Sequence, residues 1–537
     1  LTAPQMGAAV PGPEAADHLR ARFRDWTARP AIDAFRHDDL AGLSRHGVLM
    51  RPDPHIAREA WPRQRASRLA YALCGVTHTI SSEGALDAIA DLASAPLEPH
   101  DALICTSRAV RVAVDAMLER VCSQLADRYG GRPPELPMRP VIPLGIHADD
   151  FTVLADVRQA WRASMGVAQE EILLLWFGRL SFHAKAHPHS LFRAAQRATE
   201  RLGRRVHIAL AGWFADGHQE RVFRAGAERL CPDVTLHVFD GRDERVRREA
   251  WSAGDAFVLP VDNIQETFGL APLEAMAAGL VPIVPAWNGF RDTVTDGETG
   301  LLVPCAMPPP GSGSELMAAH ESGRLDYDRY LAASAQSVWI DEVAMADAIV
   351  RLVSDESFRR GLSEAGKHHA RASFDWSVII PRYQELWAEQ NDRLIAARRG
   401  AATEPASIGW ENPRRPDPFA MFAHYPDKRI GSQTLVRAVD RLDMSIIREI
   451  AQAPGALSIP GVLLGMADLM DLVSPLSERP VSWAELMSRV NKDRQDAAMR
   501  SLFWLAKNGL VRFELLDNQD ASGRPIEALE RNTSDRP

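Results

Sequence analysis

NIQETFGLAPLEAMAAG, residues 263–279, follows an apolar run, AFVLP (Ala256 to Pro260), whose length and side chains suit a buried strand. A polar turn and a glycine come next, then a helix whose first turn is marked by Pro272, a position where proline is tolerated. Two carboxylates frame this turn, Glu266 in the loop and Glu274 inside the helix, with seven residues between them. Main-chain N–H groups around Phe268, Gly269 and Leu270 are expected to stay unpaired at the helix mouth, where the helix dipole is positive. Such a mouth binds anions, and a glycine at position 269 lets a diphosphate come close to the backbone. An anion held there between two hydroxyl-accepting carboxylates suits a nucleotide sugar.

Working back from this turn, EILLLWFGRLSFHAKAH (Glu171 to His187) begins with the continuous apolar run of a strand buried on both faces. Gly178 ends the run, and Arg179 and Lys185 follow. Two fixed cations at a strand end suit a diphosphate leaving group, which gains charge as the sugar departs. Arginine supplies a planar fork and lysine a point charge. VHIALAGWF (Val206 to Phe214), VTLHVFDG (Val234 to Gly241) and LVPIVPAW (Leu280 to Trp287) continue the strand and helix alternation of a doubly wound parallel sheet.

The first 150 residues mix helix and strand. GPEAADHLRARFRDW (Gly12 to Trp26) is amphipathic, and a second helix is expected over Ala66 to Leu73. Two apolar pieces end in polar clusters, one in His78 and Thr79 and the other in Thr106, Ser107 and Arg108. VIPLGI (Val141 to Ile146) reads as a third strand. Because open α/β sheets bind ligands beyond strand carboxyl ends, His78, Thr79, Ser107 and Arg108 are the candidates in this half.

The Glu266–Glu274 pair, with EAMAAGLVPIV and DGETGLLVP after it, resembles the signature of retaining glycosyltransferases of the GT-B fold, especially glycosyltransferase family 4. "GRLSFHAK" is similar to the family's Gly-Arg-Leu, spacer, Lys-Gly segment, with Ala186 in place of the glycine. The resemblance implies two Rossmann-like domains facing across a cleft. It places Glu266 on the donor sugar, Glu274 on the ribose diol, Arg179 and Lys185 on the diphosphate, and His78 near the transfer point. Gly178, Ser107 and the Phe268–Gly269–Leu270 turn complete the implied substrate-binding set. It implies a UDP- or GDP-sugar as donor, no cofactor and no catalytic metal, and no Asp-x-Asp metal motif stands near a strand end. The base is expected at the exit loop of the strand ending VFDG. The family's Gly-Gly loop is missing, and only Gly7 could replace it. In NGFRDTVTDGETG, Asn288 stands for a glycine and Asp292 for a glutamate, and both read as loop-shaping. The closing segment SFDWSVIIPRYQELWAEQ (Ser373 to Gln390) is expected to cross back onto the first domain, with Trp376, Tyr383 and Trp387 as packing residues.

The expected organisation is an acceptor-side domain over 1–155 and a donor domain over 156–396. A linker over 397–419, an accessory module over 420–516 and a disordered tail over 517–537 follow. Residues 306–334 read as an insertion, flexible at PPPGSGS. The accessory module is mostly helical, and Trp483 to Leu516 suggests two helices and a strand in a winged-helix-like outline. Arg489, Lys492, Arg494 and Arg500 are diluted by Glu485, Asp493 and Asp496, which favours protein docking or self-association over nucleic acid.

Composition sets the outer bounds. The chain of 537 residues is 46% hydrophobic and 25% charged, ordinary for a soluble protein, and its net charge of −9 gives no basic field for nucleic acid or anionic lipid. No apolar run is long enough to span a bilayer, the first residues lack the pattern of a secretory signal, and five scattered cysteines read as reduced thiols. A cytoplasmic enzyme with an unknown acceptor is therefore expected. The readings set beside it are a GT-B epimerase or phosphorylase, and a degenerate scaffold whose last module does the work.

Overall fold

The structure, a computed structural model, describes residues 6–24, 32–132, 134–153, 155–401, 412–440, 442, 444–452 and 462–514. The tail expected over 517–537 and the middle of the expected linker lie outside these residues. The chain divides into two compact units, Leu1–Asn412 and Pro413–Pro537.

The first unit contains two α/β lobes. In the first lobe a parallel pair, β1 (Met6–Val10) and β2 (Ile32–Arg36), accompanies a three-stranded parallel sheet of β3 (Val48–Met50), β4 (Ala72–Val76) and β5 (Ala102–Ile104). The fully buried β4 and β5 form its centre, and a buried Arg63–Asp101 pair ties the segment before β4 to the start of β5. Asp101 also accepts from the Leu73 amide, so the charge is fully engaged rather than stranded.

The second lobe carries six parallel strands: β6 (Ile172–Phe177), β7 (Val206–Gly212), β8 (Thr235–Asp240), β9 (Ala256–Val258), β10 (Val281–Pro285) and β11 (Leu301–Val303). Their order across the sheet is β11-β10-β9-β6-β7-β8. Numbered from its own first strand, this is the doubly wound order 3-2-1-4-5-6. The strand order therefore reverses between β6 and β9, which pair directly at Leu174–Ala256 and Leu175–Phe257. The loops leaving those two strands are the ones that carry Lys185 and Glu266.

Three expectations need correction. No helix spans Ala66 to Leu73: a helix occupies Ile56–Arg63, and Leu73 lies in β4, because the apolar run Leu69 to Val76 is drawn into the sheet core. VIPLGI is not a strand but an edge segment making isolated bridges at Val141 and Ile146. Gly7 lies inside β1 rather than in a loop, with the His46 ring so close that an added Cβ would sit 2.6 Å from it. The segment after Ala306 holds two helices, Ser314–Glu321 and Tyr327–Ala335, which pack on the first unit.

The long helix Trp376–Gly400 does cross back. Ile379, Tyr383 and Leu386 pack against Cys74, Val76, Ala102 and Ile104 of the first lobe, with Trp376 and Trp387 beside them. Gln390 donates to the carbonyls of Leu73 and His100. The two-lobed α/β architecture implied by the resemblance is present.

The second unit has its own core around Val436, Ile447, Leu472, Leu486 and Leu502. A three-stranded antiparallel sheet sets Leu435–Ala438 between Val481–Ser482 and Val511–Glu514. The helix, turn, helix and strand expected after Trp483 are Trp483–Ser488, Gln495–Lys507 and Val511–Glu514.

Candidate active site

The reversal of strand order brings the two expected walls together. Lys185 Nζ donates to Glu266 Oε2 at 2.6 Å. Burial pushes the Glu266 carboxyl up, but the Lys185 charge and hydrogen bond, with the amides of Phe268 and Thr267, outweigh it and hold the group below the ordinary glutamate range. Glu266 is therefore a carboxylate with a fixed cation on one oxygen. Glu274 lies in the helix Leu270–Ala277, and burial raises its pKa to about 7, only partly offset by the Lys185 charge. One glutamate of the pair is thus firmly ionised, while the other titrates near neutrality.

The helix mouth is open. Gly269 occupies the N-cap position, and no side chain caps the helix. With φ of 86°, Gly269 has a left-handed backbone, and a Cβ there would lie 2.0 Å from the Phe290 ring. The buried Phe268 anchors the turn, and Leu270 is partly exposed. Across the site, Gly178 ends β6 with φ of 136°, and the exposed Arg179 gives one hydrogen bond to the Ala184 carbonyl, leaving most of its donors free. Beyond the ends of β7 and β8, Trp213, Val238 and Arg242 line a cleft of about 420 Å³ where the base is expected.

First-lobe residues arrive differently from expectation. Ser107 reaches the turn but is buried and committed: its hydroxyl donates to the Thr267 carbonyl at 2.8 Å and accepts from the Val110 amide. It fastens the lobes and caps its own helix, so its O–H is already spent and only one acceptor lone pair is left for a ligand. Arg108 joins it, its amide and Nε both bonded to Asp292. His78 is exposed beyond the end of β4 and donates from Nε2 to the Pro52 carbonyl at 2.8 Å, which fixes its ring.

Asn288, read as loop-shaping, does shape the loop, whereas Asn263 and Tyr327 escaped sequence reasoning. Asn288 has φ of 46°, the left-handed region in which asparagine replaces glycine most readily, and its amide donates to the Glu266 carbonyl. The asparagine-for-glycine departure was the signal. Asn263 accepts from the Gln265 amide and donates to the His183 carbonyl, linking the Glu266 and Lys185 loops. Tyr327 is the least foreseeable: its hydroxyl meets Ser81 Oγ at 2.8 Å and Gln265 Oε1 at 3.3 Å. Because Ser81 is also 3.0 Å from Thr79 Oγ1, a polar chain runs from the residue after His78 to the residue before Glu266.

Residues 157–308, which hold Arg179, Lys185, Glu266 and Glu274, match the family described as Glycosyl transferases group 1. This stretch is a glycosyl transferases group 1 domain. Among curated proteins the chain is similar to a D-inositol 3-phosphate glycosyltransferase of Geodermatophilus obscurus, with 33% identity over 187 residues, 34% of this chain and 39% of the relative. A protein of the same name from Kribbella flavida is 29% identical over 266 residues, 48% of this chain and 51% of the relative. The chain thus spans about two fifths to one half of these curated relatives. Among solved structures, Anabaena HepE in complex with UDP and glucose aligns with 72% of this chain and 98% of its own at 14% identity, with a TM-score of 0.45.

In the group 1 domain Gly269 combines a left-handed backbone with a ring closed over its Cα. Gly269→Ala is expected to cost about 3 kcal/mol, from backbone strain and the Phe290 clash. A chemical melt should show it as a lower midpoint. An unchanged midpoint would mean that the turn is not held as described.

Proposed function

We propose that the chain transfers a sugar from a UDP- or GDP-sugar to a hydroxyl acceptor, with retention of anomeric configuration and without a bound metal. The observation that carries this reading is the Lys185–Glu266 pair beside an uncapped helix mouth, at the point where strand order reverses. In the transfer, the bond from C1 to the diphosphate oxygen breaks with its electron pair going to the diphosphate. A bond from C1 to the acceptor oxygen forms, and the acceptor's proton leaves with the diphosphate. Lys185 and Arg179 meet the charge that develops on the leaving group. Glu266 orients the donor sugar, Glu274 accepts from the ribose diol, and His78 stands by the transfer point. The relatives' name, D-inositol 3-phosphate glycosyltransferase, favours a hydroxylated, anionic acceptor.

The second unit is read as a docking or self-association module. Three of its arginines are paired with carboxylates, in Arg494–Asp468, Arg479–Glu485 and Arg437–Glu514, and Glu485, Asp493 and Asp496 are interspersed among the basic residues of the last two helices, which dilutes the charge offered to nucleic acid. No helix among the described residues is long and apolar enough to cross a membrane. A cytoplasmic setting accords with five free cysteines, four of them buried.

A thermal-shift series over UDP- and GDP-sugars tests the reading. A cognate donor near a hundredfold above its Kd should add about 2.7 kcal/mol and raise the melting temperature by about 3 °C. Transfer should persist after dialysis against EDTA. No shift with any nucleotide sugar would overturn the donor site, and loss of transfer in EDTA would overturn the metal-free part.

A further inference from the structure

Between the two lobes of the first unit lies an open groove of about 780 Å³. One wall is the helix Arg108–Tyr129, which presents Ala109, Ala113, Ala116 and Met117 in a stripe at helical spacing. From Ala109 to Arg120 the stripe runs about 16 Å. The other wall is Ile264 and Trp287, extended by Met307 and Tyr330 from the segment that follows the sheet. That segment is pinned by Tyr327 to both lobes, so it acts as a built side of the groove.

The near end of the groove adjoins the transfer site. Ile80 and Ser81 follow His78, Ile264 is two residues before Glu266, and Asn288 holds the Glu266 carbonyl. Two cations also line it, Arg120 and Arg291. Neither guanidinium has a hydrogen-bond or ion-pair partner among the described residues, whereas those of Arg108 and Arg111 on the same helix as Arg120 are paired with Asp292 and Asp115. Free guanidinium groups beside an apolar trough, in a chain of net charge −9, mark a place for an anion joined to hydrocarbon.

We propose that the groove receives the acceptor, and that the acceptor is an amphiphile: a long hydrocarbon chain carrying a phosphate, with its reacting hydroxyl presented at the near end. The chain lies along Ala109–Met117 and against Trp287, and Arg291 meets the phosphate. This rests on the transfer reading above and gives that reading its acceptor class.

Titration calorimetry of the full chain with octyl phosphate, octyl glucoside and inorganic phosphate, all below micelle concentrations, tests it. Octyl phosphate should bind at least tenfold more tightly than either of the others. Ala113→Trp should weaken it at least tenfold by filling the trough; Ala113 and Ala116 are exposed, so Ala116→Trp serves equally if one variant folds poorly. Arg291→Ala should bring octyl phosphate down to the level of octyl glucoside. Equal binding of inorganic phosphate and octyl phosphate, or indifference to both tryptophans, would overturn the groove. Preference for phosphate surviving in Arg291→Ala would overturn the assigned anion site. The melting shift with a UDP- or GDP-sugar, read on the same variants, separates the two readings. A normal shift without octyl phosphate binding sinks the groove alone, and the reverse sinks the donor site while the groove stands.

Discussion

Lys185→Ala is expected to lower the transfer rate about a thousandfold or more, the largest single loss in the site. On the proposed function it removes the cation assigned to the leaving diphosphate, and it strips Glu266 of its counter-charge. The stability signature follows from the sign of the Glu266 shift. In the native protein the carboxyl is held below its ordinary value, so the pair stabilises the fold above the unfolded glutamate pKa and loses that contribution as pH falls through the lowered folded value. Without Lys185 the burial effect dominates, the folded pKa rises, and stability is instead lost as pH climbs through it. The side chains of Lys185 and Glu266 retain only 23% and 13% exposure, so breaking the pair should cost about 3 kcal/mol near pH 8 and little near pH 5. Adding Glu266→Gln to Lys185→Ala should restore the melting temperature and leave transfer absent. A single variant that melts like the native protein at pH 8 would show that the two side chains do not depend on each other.

Glu274→Gln should abolish donor binding while making the protein more stable. Burial raises the native Glu274 carboxyl to about 7, above its unfolded value, so its favourable contribution is complete below the unfolded pKa and disappears as pH rises through 7. The neutral glutamine escapes that loss. The variant should melt about 2 °C above the native protein at pH 8 and level with it at pH 5. Donor affinity of the native protein should move the opposite way, strengthening from pH 6 to 8 by up to about tenfold, because only the ionised carboxylate accepts from both ribose hydroxyls. Calorimetry at three pH values checks both. Flat donor affinity across that range would remove Glu274 from the ribose.

Much of the second lobe was legible because its inner strands are largely apolar runs buried on both faces, and because Lys185 and Glu266 lie in the loops that follow two of them. Knowing that β6 and β9 give way to Gly178 and Pro260 is nearly enough to place Lys185 near Glu266 once the strand order is doubly wound. In the first lobe, short apolar runs do not separate helix from strand, which is how Ala66 to Leu73 was misread. Ser107 shows a different limit. A polar cluster after a strand predicts a ligand group, but its hydroxyl is taken by a carbonyl 160 residues away, and local sequence carries no trace of that partner. Tyr327 was hidden for the same reason, since both its partners lie on elements far from it in the chain.

The helix that returns to the first lobe also orders events during synthesis. The second lobe has all six of its sheet strands once the ribosome has released Val303, and can begin to close around β6 and β9. The first lobe, although made earlier, must wait with Cys74, Val76 and Ile104 uncovered until Ile379, Tyr383 and Leu386 emerge. The carbonyls of Leu73, His100, Leu69 and Ala70 wait longer still, for Gln390 and Arg398. At 5–20 residues per second that delay lasts roughly 15–60 seconds, and the nascent chain spends it with its earliest apolar sheet face open to solvent and to chaperones.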